Sequence, residues 1–293
     1  MKALQKTAIS AAAVALLTGL TSAAVFAEEA AAPEVSPITA NVTVASSYVY
    51  RGLTQTNNKP AIQGGFDYAH ESGFYIGNWN SSISWLSDGY GNAGNSGTKA
   101  VTAPIEMDFY AGFKKELIAE GFASDVGVLQ YYYPTTGLPG MAVSRTTPVT
   151  GGGRQISGVS PSTTEIYAAQ NFTYGPVTGF AKVSYALTSL FGIYNSTGSM
   201  YPDLTVNYDT GMYGITANAH VGYQYVPNDI AGYKMSYTDW KLGLTKDFGG
   251  GLSGAVAYTG TNAASVGGVP VYTTTYSGNA GRGTGIVSLT KAF

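Results

Sequence analysis

The chain has 293 residues, no cysteine and a formal net charge of −2. That acidic balance excludes the basic footprint of a nucleic-acid binder, and the missing cysteines exclude a disulfide framework. Only 11% of residues are charged, against roughly 25% in ordinary soluble domains, and glycine (39) and tyrosine (23) fill much of the difference.

The first 27 residues read as a secretory signal peptide. Lys2 and Lys6 supply a positive start, Ile9 to Leu20 is apolar, and Val25-Phe26-Ala27 places small residues for cleavage after Ala27. The apolar run is too short and too alanine-rich for a spanning helix, and no later stretch approaches the ~20 apolar residues that such a helix needs. Residues 28–37, EEAAAPEVSP, read as a short periplasmic leader. Few charges, abundant Gly and Tyr, and no spanning helix together fit a transmembrane β-barrel occupying residues 38–293.

From Ile38 the sequence alternates with period two. Ile38, Ala40, Val42, Val44, Tyr48 and Tyr50 share one face, while Thr39, Asn41, Thr43, Ser47 and Arg51 share the other. The first set is expected to meet lipid, with Tyr48 and Tyr50 in an outer aromatic girdle. Ile62, Phe66 and Tyr68 oppose Gln63, Gly65 and Asp67 in the same way. Next, Tyr75, Trp79, Ile83 and Trp85 read as outward against Ile76, Asn78, Asn80 and Ser84. Ile105, Met107, Phe109 and Phe113 oppose Glu106, Asp108, Tyr110 and Lys114. Around 122–133 and 165–172 the alternation does not identify a face. Leu204, Val206 and Tyr208, then Trp240, Leu242 and Leu244, resume it.

The pattern predicts about twelve strands, at 38–51, 61–71, 73–86, 104–115, 122–133, 163–173, 176–187, 199–209, 212–225, 236–247, 251–260 and 283–293. The connectors sort by parity. Those at 52–60, 87–103, 134–162, 188–198, 226–235 and 261–282 are all longer than the turns between them. Outer-membrane barrels sort their loops in this way, with short periplasmic turns and long extracellular loops. A soluble sandwich has no reason to. The fold expected is therefore an all-β, antiparallel up-and-down barrel. The last strand ends on Phe293, as do strands recognised by outer-membrane assembly machinery, and Lys291 can snorkel to the interface.

The segment SSYVYRGLTQTNNKPAIQGGFDYAHESGFYIGNW resembles the opening signature of the TorF-type porins, the Gcw_chp family. The matching words are Tyr48 to Gly52, Pro60 to Gly65 and Glu71 to Gly77. Further matches are Tyr131 to Pro134, Glu165-Ile166-Tyr167, residues 236–261 and the closing SLTKAF. The insertions at 87–103 and 134–162 depart from the pattern. The resemblance implies an outer-membrane barrel of porin type with no established substrate.

For a channel, function resides in the lumen. Arg51, Asp67, Glu106, Asp108, Glu165, Lys182, Asp203, Asp239 and Lys241 are the expected lining residues, acting through field and hydration rather than covalent chemistry. Carboxylates at the mouth outnumber Arg51 and would favour cations or zwitterions over anions. A twelve-stranded barrel is narrower than the 16–18-stranded porins, so folded loops or side chains could constrict or plug it. The expected partners are outer-membrane lipid, assembly machinery engaging Phe293, and small polar solutes or ions. No cofactor or metal is expected.

Two rival readings remain. His220, flanked by Asp203 and Asp239 on neighbouring strands, could serve a hydrolase as general base. Alternatively, the 134–162 loop could mark a structural or adhesive barrel with a closed lumen. The Gly151-Gly152-Gly153 run precedes no helix and is flexibility, not a phosphate cradle.

Overall fold

The computed structural model describes residues 36–90, 101–136, 159–228, 233–274 and 278–293. The expected signal peptide, nearly all of the 28–37 leader and the triple glycine at 151–153 lie outside these residues. Within them, twelve strands close into one antiparallel barrel. They are β1 (Ile38–Ala45), β2 (Ala61–Ala69), β3 (Phe74–Ser82), β4 (Ile105–Ala119), β5 (Phe122–Tyr132), β6 (Thr163–Tyr174), β7 (Val177–Ala186), β8 (Met200–Asp209), β9 (Ile215–Gln224), β10 (Tyr237–Gly249), β11 (Leu252–Thr261) and β12 (Thr284–Ala292). Each pairs with its neighbours in sequence. The ring closes where β1 meets β12, with Asn41 opposite Ala292 and Ala45 opposite Ser288.

Both ends of the barrel chain, Ile38 and Phe293, lie at one rim, together with the short turns 120–121, 175–176 and 250–251. The strand ends that the long connectors join lie at the other rim. The expected architecture and loop parity are those observed.

The outer wall is apolar all round. Val44, Ile62, Phe66, Ile76, Phe109, Val126, Ile166, Leu204, Val221, Leu242, Val256, Val287 and Leu289 are all exposed. Soluble monomers rarely expose an apolar patch beyond a few hundred Å². Where the alternation was unreadable, in β5 and β6, outward polar side chains pair with each other across the strands. Thr164 Oγ1 donates to Gln130 Oε1 and Ser124 Oγ to Gln170 Oε1. Their inward neighbours include the apolar Leu129 and Ala169, so polarity there does not mark the lumen.

Two sequence expectations fail. In β3 the inward face is Tyr75, Gly77, Trp79 and Ser81, while Phe74 and Ile76 are exposed. Tyr75 and Trp79 therefore point into the barrel, not to lipid. Period two fixes which residues share a face but not which face is inside, and a one-residue error inverts all of them. The tyrosine has a polar reason to turn inward, because its hydroxyl donates to Asp125 Oδ1 at 2.7 Å. Ile83 and Trp85 lie beyond the strand and are buried, Trp85 opening a short helix, α1 (Trp85–Tyr90).

The second failure concerns β1, which stops at Ala45 rather than running to residue 51. Ser46 ends the pairing with β12. Its N–H donates to Val287 O, and its Oγ accepts from the Val287 N–H at 3.0 Å. From there the chain bends into the lumen.

Candidate functional site

The inward segment is a miniature hairpin in which Val49-Tyr50 pairs with Leu53-Thr54. Its two turn residues, Arg51 (φ 44°) and Gly52 (φ 71°), both have positive φ. That is the arrangement of a type I′ turn, whose first position favours Asn, Asp or Gly. An L-residue with a bulky side chain held there costs about 1–2 kcal/mol. Gly52 meets a second constraint: a Cβ would fall 2.7 Å from the Asp239 Cβ and closer still to Thr261. The tip is wedged against β10 and β11.

The strain is offset by what Arg51 reaches. Its guanidinium donates through Nη1 to Glu165 Oε1 (3.0 Å) and through Nη2 to Glu165 Oε2 (2.7 Å), a bidentate pair. Nη1 also donates to Gln224 Oε1 at 2.8 Å. The guanidinium carbon lies 4.1 Å from the ring centre of Tyr201, 5.0 Å from Tyr50 and 5.9 Å from Phe191. Glu165 stands on β6, almost diametrically opposite β1, and Gln224 stands on β9. The hairpin thus crosses the whole lumen. Burial alone would favour the uncharged guanidine, but the Glu165 carboxylate outweighs it and holds the Arg51 pKa well above its ordinary value. Removing one partner of such a pair would leave the other charge buried and uncompensated.

Tyrosines fasten the rest of the segment. The Tyr48 and Tyr133 hydroxyls both donate to Glu106. Burial, followed by the nearby Glu106 charge, pushes the Tyr48 hydroxyl far above its usual range, so it stays a donor. The Tyr50 and Tyr131 hydroxyls hydrogen-bond to each other, and the Tyr237 hydroxyl donates to the Arg51 carbonyl at 3.0 Å. Tyr48 packs edge-on against Trp79 with centroids 5.5 Å apart. Tyr48 and Tyr50, expected at the lipid interface, are lumen residues. The interior supplies carboxylate and hydroxyl partners for the phenols, which lipid cannot.

Connectors at the same rim cover the hairpin. In 187–199, Leu190, Phe191 and Ile193 are buried, and Phe191 packs on Tyr131 with centroids 5.0 Å apart. The 262–283 connector accepts the Thr54 N–H at the Ala280 carbonyl, and Tyr272 donates to Met235 O.

Among the described residues, small cavities of about 20 and 80 Å³ adjoin the hairpin tip. The smaller is walled by Leu53, Tyr133, Phe191, Gln224 and Tyr272; the larger by Gln63, Lys182, Asp203, His220, Asp239 and Lys241. Among the described residues, only Tyr50 and Arg51 line both. The hairpin tip is the partition between them. Each space exceeds the 10–15 Å³ that one water requires.

In the larger cavity His220 lies between two carboxylates. Nδ1 is 3.0 Å from Asp203 Oδ1 and Nε2 is 3.0 Å from Asp239 Oδ2. The Tyr201 hydroxyl lies 3.1 Å from Nε2 and donates to Asp239 Oδ1 at 2.9 Å. The flanking expected for His220 is present, but a carboxylate facing each nitrogen calls for an N–H at both. Such a ring has no lone pair left to act as general base. Lys182 Nζ stands 3.7 Å from Asp203, and Lys241 lines the same cavity.

The nine expected lining residues all point into the barrel interior, in three groups. Arg51 and Glu165 form the cross-lumen pair, with Glu106 and Asp108 beside them. Both Asp108 oxygens are buried without a hydrogen-bond partner. Lys182, Asp203, Asp239 and Lys241 surround His220. Asp67 sits apart, nearer the termini rim, accepting from the Tyr110 hydroxyl. Sequence reasoning missed Tyr48, Tyr50, Tyr201, Gln224 and Phe191 as parts of the site. The available signal was Arg51-Gly52, a turn dipeptide with the wrong first residue.

The chain matches, over residues 27–293, the family described as "Bacterial protein of unknown function (Gcw_chp)". It belongs to that family. No curated protein matches it. Among solved structures it is similar to the KdgM porin in complex with disordered oligogalacturonate, at 7% identity and TM-score 0.48, covering 87% of this chain and 98% of that one. It is also similar to the toluene transporter TodX of Pseudomonas putida, at 9% identity and TM-score 0.46, covering 87% and 88%. A third is OccAB1 of Acinetobacter baumannii, at 10% identity and TM-score 0.42, covering 89% and 66%. Similarity at this level carries neither substrate nor pore to this Gcw_chp chain.

Proposed function

We propose that this chain is an outer-membrane channel of porin type, of the TorF kind, closed at rest by its own Val49–Thr54 hairpin. The apolar outer wall fits lipid. The termini rim is then periplasmic and the rim of long connectors extracellular, with export by a signal peptide cleaved after Ala27 and assembly through the strand ending in Phe293. The carrying observation is Arg51, which spans a carboxylate-rich lumen and divides it into two compartments.

With the hairpin withdrawn, Glu106, Asp108 and Glu165 would line the constriction uncompensated and favour cations or zwitterions. Deeper, Asp67, Lys182, Asp203, Asp239 and Lys241 keep the wall hydrated. Planar-bilayer recording tests the reading. Rare or small openings are expected from the native chain, with larger cation-preferring currents once the hairpin is shortened. A second reading, a barrel that stays closed and acts through its outer surface, draws on the packed cap of Phe191, Tyr272 and the hairpin. Silence of the shortened chain would favour it.

A further inference from the structure

The pocket around Arg51 has the make-up of a receptor for a guanidinium group. A planar carboxylate, Glu165, meets both terminal nitrogens in parallel. An amide oxygen, from Gln224, takes a further N–H. Three aromatic rings lie near the cation, Tyr201 closest at 4.1 Å. Bidentate pairing and aromatic stacking distinguish guanidinium from ammonium recognition. The same side chain is held at a turn position that disfavours it, so the turn is organised for what the side chain binds. Arg51 Nε has no partner, and cavities adjoin the group on both sides. Among the described residues no trio of His, Asp or Glu has metal-holding geometry, and the site's planar shape suits an organic cation.

We propose that Arg51 is an internal stand-in for a ligand, and that the Glu165–Gln224–Tyr201 pocket binds the guanidinium group of small solutes. Such a solute competes with Arg51 and releases the hairpin. This rests on the channel reading above for its consequence, but the binding itself does not. One charge and one plane are exchanged for another, so the pocket is never left with an unpaired buried carboxylate.

The test is chemical rescue. Arg51→Gly empties the pocket and suits the positive φ. Guanidinium chloride at low concentration, a general destabiliser of proteins, is expected to raise the melting temperature of detergent-solubilised Arg51→Gly. It should leave the native chain unchanged or lower, and lose its effect by about tenfold or more in concentration when Glu165→Gln is added. Methylammonium should not substitute. A fall or no change in Arg51→Gly overturns the assignment.

Should Arg51→Gly not fold, the native chain decides: methylguanidinium must increase its channel openings or hairpin proteolysis, and methylammonium must not. Neither effect from methylguanidinium overturns the proposal. A rise in melting temperature without any conductance would retain the guanidinium site and remove the channel reading.

Discussion

Glu165→Gln isolates the latch with the smallest change of shape. It keeps one acceptor and the side-chain volume but removes the charge that Arg51 Nη1 and Nη2 both contact, at 3.0 and 2.7 Å. Both groups are almost completely buried, at 4% and 2% side-chain exposure, so solvent screening hardly softens the loss. Breaking a buried pair from one side costs about 3–5 kcal/mol. Gln224, Tyr201 and the Tyr237 hydroxyl still hold the hairpin and absorb part of that. Taking about 3 kcal/mol as the loss specific to the seated hairpin, the ratio of open to closed states rises about 100-fold, at 1.4 kcal/mol per tenfold. Voltage-clamped bilayers carrying a counted number of channels measure that ratio directly. Limited trypsinolysis at the Arg51–Gly52 bond, which is buried while the hairpin is seated, gives an independent reading. Open probability and cleavage within threefold of native would refute the latch, because among the described residues no other group pairs with Arg51 as a charge.

Further outcomes follow from the same geometry. Gly52→Ala meets both an unfavourable φ and the Asp239 and Thr261 side chains, so it should unseat the hairpin and raise conductance; native behaviour would mean that the tip is not wedged. Single-tryptophan proteins placed in bilayers with brominated acyl chains should show strong quenching of Trp240, which is exposed on the outer wall, and little of Trp79 or Trp85, which are buried; quenching of Trp79 would restore the lipid-facing assignment of β3. Trp79→Ala should lower barrel stability by about 3–5 kcal/mol, the cost of a large core truncation, as read from urea unfolding in detergent. His220→Ala strands Asp203 and Asp239 without their shared donor and should destabilise the barrel while leaving ion conduction through a hairpin-shortened variant; loss of a hydrolytic activity instead would revive the enzymatic reading.

Much of the fold was legible because a barrel repeats one rule twelve times. Alternation located the strands after β1 to within a few residues but ran β1 on to residue 51, where the strand stops at Ala45; connector length gave the topology, since an up-and-down barrel sorts its loops by parity. What alternation cannot encode is handedness of facing, which is why β3 was inverted: Tyr75 and Trp79 are as plausible against lipid as against the aromatic interior. Polar-in reasoning placed the nine charged side chains inside the barrel, but it could not place Arg51 across the lumen. Its partner Glu165 lies 114 residues away, and no local pattern records that pairing. The turn did carry a trace. Continuing β1 to residue 51 ignored that Arg51-Gly52 is a reversal signal, with arginine at the position where a hairpin prefers asparagine. The tyrosines of that segment, assigned to a girdle, turn inward because buried carboxylates await their hydroxyls.

The most direct test replaces residues 49–54 with a short Gly-Ser connector and compares single-channel currents with the native chain under a salt gradient. The structure leads us to expect frequent, larger openings after replacement, with a reversal potential of cationic sign. Equal silence from both proteins, correctly folded by heat-modifiability, would contradict a channel gated by its own hairpin.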